Sequence, residues 1–244
     1  MCAEVASSNS NNTAMSGLTK EIVDELRASQ EVYGLLSRLM FSPLSQQEID
    51  ALAEMDLLRQ FPESDSPFSE GLREMACCLQ NGSATIRQDL NIDYTSAFYG
   101  VNQYEGKVAT PYESVFRSED GLLFQKPYTE VYQSYKRNCV KTDPELNLPA
   151  DHLSFELQFL GKLCEKAADS LASARTEEAR ALLDEQRDFI EGHILSWIDD
   201  LSAVAGELVK LDFYRGVLKV VRGFAEDRAR MLSEYSKELD GNMA

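Results

Sequence analysis

The side chains best suited to chemistry lie together at one point of the chain, shortly after a proline. Asp151 and His152 come two and three residues after Pro149, and Glu156 follows four residues after His152. On a helix that begins at Pro149, His152 and Glu156 are within reach of each other, and Asp151 lies in the first turn, where the helix dipole favours an anion. This arrangement is typical of a helix cap, and equally of a polar recognition point or an acid–base site.

The segment after this polar group is predicted to be a long buried helix. Apolar side chains recur every three or four residues, so they share one face that belongs in a core. They are Leu153, Leu157, Leu160, Cys164, Ala167 and Leu171. The pattern predicts a helix from Pro149 to about Ala174, with polar chemistry at its beginning.

Known catalytic and cofactor patterns do not match the sequence. Its two histidines, His152 and His193, have no Glu three residues before them, as a di-iron bundle requires. There is no glycine-rich phosphate loop, and the five cysteines include no C-x-x-C pair that would favour zinc. We therefore expect no metal, no cofactor and no catalytic residue. The alternative is a weak nucleotide-binding or hydrolysing protein that uses Asp151, His152 and Glu156.

Composition indicates a soluble globular protein with a basic partner. The chain has 244 residues, 43% of them hydrophobic, and a formal net charge of −17 at pH 7. Binding to a nucleic-acid backbone depends on Lys and Arg, so this charge argues against a nucleic-acid partner. No stretch of 18 apolar residues and no secretory signal is found, so we expect a cytoplasmic protein without stable membrane insertion.

Helical periodicity runs through almost the whole chain and predicts an all-α fold. Residues 1–15 are rich in Ser, Asn and Ala and are expected to form a disordered tail. Residues 16–240 are expected to form a single helical-bundle domain of roughly nine or ten helices, the first of them starting at Leu18. The pattern breaks at 141–148, which could serve as a hinge between two helical halves.

Several helix ends can be assigned from capping residues. Ser45 and Glu48 form a capping box for a second helix that should run to about Arg59. A third helix should open at Ser66-Pro67 and stop at Asn81-Gly82. Ser83 should then cap the fourth helix.

The least regular part of the chain, residues 101–128, carries prolines, glycines and aromatic residues. Loops of this length are often functional. Thr110, Pro111 and Glu113 match a capping box with proline at its first position, which predicts a short helical turn from Tyr112 to Phe116.

A groove lined by aromatic residues and proline, bordered by a carboxylate and an imidazole, suits a peptide with an apolar segment and a basic end. Two aromatic residues lie four apart on the helix that precedes the irregular segment. The predicted peptide-binding residues are Asp151, His152, Tyr112, Pro111, Glu113, Tyr94 and Phe98.

Three ordered blocks of the sequence resemble the TorD/DmsD/NarJ-type chaperones, the redox enzyme maturation proteins of molybdenum-cofactor oxidoreductases. The first block is Asp93-Tyr94-x-x-x-Phe98-Tyr99-Gly100 with Pro111-Tyr112-Glu113-Ser114-Val115-Phe116. The second is Pro149-Ala150-Asp151-His152-Leu153 with Glu156-Leu157-Gln158-Phe159-Leu160. The third is His193-Ile194-Leu195-Ser196-Trp197, followed by Phe213-Tyr214. Together they extend over roughly residues 20–235.

The resemblance implies a TorD-like helical fold and a non-enzymatic function. Such a protein binds the twin-arginine signal peptide or the apoenzyme of its client and holds it for cofactor insertion before export. Some members are also associated with guanine nucleotide and with dimers that exchange helical halves, which implies a monomer or a domain-swapped homodimer here. Leu148 stands where the family signature has Glu, and a helical adaptor without signal-peptide recognition remains the alternative.

Overall fold

The structure, a computed structural model, describes residues 5–55, 64–142, 146 and 148–241. Its α-helices are α1 (Val5–Phe41), α2 (Gln46–Glu54), α3 (Pro67–Gln80), α4 (Ile86–Phe98), α5 (Glu113–Arg117), α6 (Lys126–Arg137), α7 (Leu153–Ala172), α8 (Thr176–Phe189), α9 (Ile198–Leu208) and α10 (Asp212–Gly241). A π-helical turn, Ile190–Ile194, continues α8. Over these residues no strand forms, and the expected all-α fold of about ten helices is confirmed.

The core is one continuous cluster of buried side chains that includes residues from Ile22 on α1 to Leu239 on α10. Helix α7 lies at its centre and packs along α1 and α8. The predicted apolar face of α7 is fully or almost fully buried, from Leu153 to Leu171. The hydroxyls of Ser37 on α1 and Ser154 on α7 pair across this interface, 3.0 Å apart.

Helices α3 and α10 approach each other so closely that glycine is required at their contact. A Cβ atom on Gly71 would overlap the carbonyl oxygen of Gly216, and a Cβ atom on Gly216 would approach that of Gly71. The two backbones can therefore touch only where neither residue has a side chain.

Two predicted helix starts are confirmed. The hydroxyl of Ser45 accepts the backbone N–H of Glu48, whose carboxylate accepts the N–H of Ser45, so the capping box is complete. Helix α3 begins at Pro67 behind its cap Ser66, and Asn81 follows its last residue. The expected end of α2 near Arg59 lies outside the described residues.

The predicted cap of α4 is wrong by two residues. Thr85 precedes the first residue of α4. The carbonyl oxygen of Ser83 accepts the N–H of Ile86, and its hydroxyl accepts the N–H of Thr85 at 3.2 Å. Ser83 therefore stabilises a turn before the helix instead of capping the helix itself.

Helix α1 begins at Val5, earlier than the start at Leu18 that periodicity favours. Disorder of the segment 1–15 in solution stays a prediction. Residues 143–145 and 147 of the proposed hinge lie outside the described residues, so the hinge also stays a prediction.

Candidate binding site

Two segments that are forty residues apart in sequence meet in a short antiparallel pairing, which we call the junction (residues 111–113 and 151–153). The N–H of Leu153 donates to the carbonyl oxygen of Pro111 at 2.9 Å, and the N–H of Glu113 donates to that of Asp151 at 3.0 Å. Tyr112 and His152 face each other as an isolated β-bridge. The irregular segment and the polar start of α7 are therefore one structure.

The junction shifts the starts of two helices from their predicted positions. Helix α7 begins at Leu153 and not at Pro149, because residues 150–151 form a turn and the extended His152 pairs with Tyr112. Helix α5 begins at Glu113, and Tyr112, in an extended conformation, precedes it. The predicted capping box of Thr110 and Glu113 is therefore wrong, since Pro111 and Tyr112 take part in the pairing.

Asp151 caps α5, a helix distant from it in sequence. Its Oδ2 accepts the backbone N–H of Ser114 at 2.9 Å, and its side chain is fully buried. An anion at a helix N-terminus satisfies a free N–H group and interacts favourably with the helix dipole. Burial nevertheless raises the pKa of Asp151, and the nearby charge of Glu113 adds to the rise.

His152 is the N-cap of α7 and is neutral. Its Nδ1 accepts the N–H of Ser154 at 3.2 Å, so this geometry assigns the proton to Nε2. Burial lowers the pKa of His152 from 6.5 to about 4. The ring packs edge-on against Tyr112, with centroids 4.9 Å apart, and against Phe155. In this conformation His152 is therefore uncharged at neutral pH and acts neither as a base nor as a partner in an ion pair.

The side chains of His152 and Glu156, which their spacing places within reach of each other, form no hydrogen bond with each other. Glu156 is fully buried, and its two carboxyl oxygens have no hydrogen-bond partner within the described part of the chain. Burial raises the pKa of Glu156 well above its usual range, and the charges of Glu113 and Asp151 raise it further. Among the residues with described positions, no group of acids, histidines and cysteines is arranged to hold a metal ion.

Glu113 connects the junction to the π-helical turn. Its carboxylate, fully buried, pairs with Nδ1 of His193 at 3.0 Å and with the guanidinium of Arg117. Arg117 also donates to the carbonyl oxygen of Gly192 at 2.7 Å. Sequence reasoning missed this cluster, because His193 is eighty residues from Glu113 and carries no spacing signal of its own.

The first and third blocks of the family signature also meet. Asp93 accepts the N–H groups of Lys210 and Leu211 at 3.0 and 2.7 Å, just before α10. The rings of Tyr94 and Phe98 both lie 5.5 Å from that of Tyr214. The spacing of these blocks thus corresponds to side chains that hold the helices together.

Most of the predicted peptide-binding residues are buried in this structure. Tyr94 donates its hydroxyl proton to the carbonyl oxygen of Met40 at 2.9 Å, and Phe98 is 3% exposed. Tyr112 is half-buried, whereas the other six residues, Pro111, Glu113, Asp151, His152, Tyr94 and Phe98, are buried. Direct contact of these seven side chains with a peptide stays a prediction.

An exposed apolar surface lies next to the junction and was not identified from the sequence. We call it the aromatic strip: Leu122, Leu123, Phe124, Tyr128 and Tyr132. The ring of Phe124 is 5.1 Å from that of Tyr128, which stacks at 6.0 Å on that of Tyr132. It is linked to the junction through Ser114, because the N–H of Gln125 donates to the hydroxyl of Ser114, whose own N–H is bound by Asp151.

The fold and the junction define a class of all-helical proteins whose separate signature segments converge on one buried polar centre. Residues 62–203 match the family described as "Nitrate reductase delta subunit". No helix of the described residues is both long and apolar enough to cross a bilayer.

Curated relatives give the assignment within this class. The chain is 30% identical over 203 residues to the "Chaperone protein TorD" of Vibrio vulnificus (strain YJ016), an alignment that covers 80% of this chain and 89% of the relative. It is 28% identical over 211 residues to the protein of the same name from Vibrio parahaemolyticus serotype O3:K6 (strain RIMD 2210633), with 84% and 94% covered. The chain belongs to the TorD-type chaperone family, and the predicted family is confirmed.

Proposed function

We propose that this protein is a cytoplasmic chaperone for a molybdenum-cofactor oxidoreductase. It binds the twin-arginine signal peptide of the precursor, or the apoenzyme, and holds it for cofactor insertion before export. Family membership and the relatives named as TorD chaperones support this function. The formal net charge of −17 supports it as well, because a strongly acidic surface attracts the basic end of such a leader.

The observation that carries the proposal is the junction. It joins two signature segments in one buried centre, and Ser114, whose N–H Asp151 binds, accepts the N–H of Gln125 within the segment of the exposed aromatic strip. A site of this kind offers apolar contact area next to a fixed polar framework, which suits the recognition of a peptide.

The proposal includes no catalytic step. His152 is buried and neutral, and its Nδ1 is occupied by the backbone of Ser154. Burial also keeps the carboxyl of Glu156 away from solvent. We assign these groups to the positioning of the junction, and we propose that the protein works as a monomer or as a homodimer that exchanges helical halves at residues 141–148.

Titration with synthetic leader peptides tests the function. A peptide with an Arg-Arg pair followed by its apolar segment should bind with a measurable dissociation constant by calorimetry or fluorescence anisotropy. The matched peptide with Lys-Lys should bind more weakly, because Lys lacks the planar guanidinium group. Equal affinity for both peptides, or binding of neither, would contradict the proposal.

A further inference from the structure

We propose that the aromatic strip is the docking surface for the apolar segment of the client's leader, which lies on it as a helix with its arginines toward Glu119 and Asp120. This inference rests on the proposed function and deepens it. The surface lies outside the seven residues for which the sequence predicts peptide contact.

Exposure of the strip has no explanation in the packing of the described chain. Three consecutive apolar residues are exposed, Leu122 by 57%, Leu123 by 39% and Phe124 by 61%, and Tyr132 on the following helix is exposed by 42%. A contiguous apolar patch of this kind on a soluble protein usually marks an interaction surface. Single exposed apolar residues are common and need no partner, but here three are consecutive, and the rings of Phe124, Tyr128 and Tyr132 contact one another in turn.

The backbone at the strip is held in an unfavourable conformation. Phe124 has a φ of 59°, in the left-handed region, which a bulky side chain rarely adopts. The next residue, Gln125, is bound through its N–H to Ser114 and so, indirectly, to Asp151. Strain of this kind persists where the surrounding structure enforces it, often at a binding site. Here it keeps the ring of Phe124 exposed in line with that of Tyr128.

The spacing of the rings fits a helical ligand. The centroid distances of 5.1 Å and 6.0 Å along the strip are close to the pitch of an α-helix, about 5.4 Å. A helical apolar segment that lies along the strip would therefore place one side chain per turn against each ring. Apolar anchors at such a regular spacing are typical of helix-in-groove recognition.

Charges at the two ends of the strip determine the direction of the peptide. Glu119 and Asp120 are exposed immediately before Leu122. At the far end, the ammonium group of Lys136 lies 5.7 Å from the ring centroid of Tyr132. A twin-arginine leader has its basic residues before its apolar segment, so the arginines complement the acidic end and avoid the basic one.

Substitution of Phe124→Gly separates binding from folding. Glycine adopts a positive φ without strain, so the thermal midpoint should equal or exceed that of the wild type. Loss of the exposed ring should weaken binding of the Arg-Arg leader by about tenfold or more, as expected for a buried aromatic anchor. Unchanged affinity in Phe124→Gly would overturn the proposal.

Tyr132→Ser provides a second test with a matched control. Tyr104 is exposed by 40%, nearly the same as Tyr132, but it belongs to a separate turn with Lys107. We expect Tyr132→Ser to weaken leader binding about tenfold and Tyr104→Ser to leave it unchanged. Equal effects of the two substitutions would overturn the proposal.

Failure of this inference can be distinguished from failure of the proposed function. If wild-type protein binds neither leader peptide, the proposed function fails. If it prefers the Arg-Arg leader but Phe124→Gly and Tyr132→Ser bind with wild-type affinity, the strip alone is rejected. If these variants change only the mass of the particle in sedimentation, the strip is a contact between copies of this chain, and docking of the leader is again overturned.

Discussion

Asp151 and His152 do not lie in the first turn of a helix that starts at Pro149, as their positions in the sequence suggest. Each instead accepts a backbone N–H group at the start of a helix. Asp151 caps α5 through Ser114, and His152 caps α7 through Ser154. Both side chains are buried, so their first effect is on the geometry of the junction and its neighbours. A positioning residue of this kind can influence peptide binding without touching the peptide.

The capping role of Asp151 can be tested by replacing its carboxylate. Asp151→Asn keeps an oxygen that can accept the N–H of Ser114, and it removes a charge next to Glu113. Asp151→Ala leaves that N–H buried without an acceptor, which costs about 1–3 kcal/mol. We therefore expect urea unfolding to give Asp151→Ala a free energy of unfolding lower by about this amount, whereas Asp151→Asn should lie within about 1 kcal/mol of the wild type. Equal losses in both variants would argue against the capping role.

His152 makes the stability of the protein depend on pH. Its pKa is about 4 in the folded state, against 6.5 for an exposed histidine, so the unfolded chain binds more protons between these values. The free energy of unfolding therefore has its full value, as far as His152 is concerned, above pH 6.5. It decreases as the pH falls to about 4. Glu156 has the opposite effect, because its raised pKa lowers stability as the pH increases above the usual carboxyl range.

Substitution of His152→Asn isolates the histidine contribution. Asparagine is a good N-cap and can accept the N–H of Ser154, but it does not titrate. Between neutral pH and pH 4, the free energy of unfolding of this variant should fall less than that of the wild type, by on the order of 3 kcal/mol. Urea unfolding at several pH values measures the difference. Parallel pH dependences of the two proteins would refute the neutral, buried state of His152.

At the scale of elements, much of the helical framework follows from sequence periodicity and capping residues. The buried face of α7, the capping box of Ser45 and the start of α3 at Pro67 are local features, and each is found as predicted. The starts of α5 and α7 were misplaced because they depend on each other. Pro149 is a favourable first helical residue by itself, but pairing of residues 151–153 with residues 111–113 holds His152 extended and delays the helix to Leu153.

The candidate site could likewise be predicted only in part, because some of its features are local and others depend on tertiary packing. That the two signature segments line one site was expected, and the junction brings them together. The partners of Asp151 and Glu113 were not predictable, because Ser114 and His193 approach them only through tertiary packing. The positive φ of Phe124 in the aromatic strip is likewise not indicated by periodicity.

The contact between α3 and α10 provides a test at this scale. Gly71→Ala places a methyl group against the backbone of Gly216, and overpacking of this kind costs about 1–3 kcal/mol or more. Gly34→Ala is the matched control, because Gly34 is an exposed residue within α1 with no atom near its added Cβ. We expect Gly34→Ala to raise the free energy of unfolding by up to about 1 kcal/mol. Similar effects of both substitutions in urea unfolding would contradict the close packing.

For the whole molecule, the dominant property is its strong negative charge, and we propose that this charge acts together with the aromatic strip. In the proposed function, the formal net charge of −17 attracts the basic leader, and the aromatic strip provides the apolar contact. The two contributions act on different steps, because long-range charge mainly changes the association rate and desolvated contacts mainly change the dissociation rate.

Salt should therefore weaken leader binding through association. Between about 50 and 300 mM NaCl, screening of exposed charges should lower the association rate of the Arg-Arg leader more than it changes the dissociation rate. A leader with Gln-Gln in place of Arg-Arg serves as control and should be less sensitive to salt. Stopped-flow fluorescence measures both rates, and equal salt dependence of the two peptides would contradict the electrostatic part of the account.

The central claim is that a twin-arginine leader binds at the junction and the aromatic strip, and hydrogen–deuterium exchange tests it most directly. Exchange of the full chain is compared with and without a saturating Arg-Arg leader, and the Lys-Lys leader is the control. We predict slower exchange in residues 112–132 and 148–153, and no change in the exposed turn at Tyr104–Lys107. Protection confined to other helices, or no protection at a saturating concentration of leader, would contradict the account.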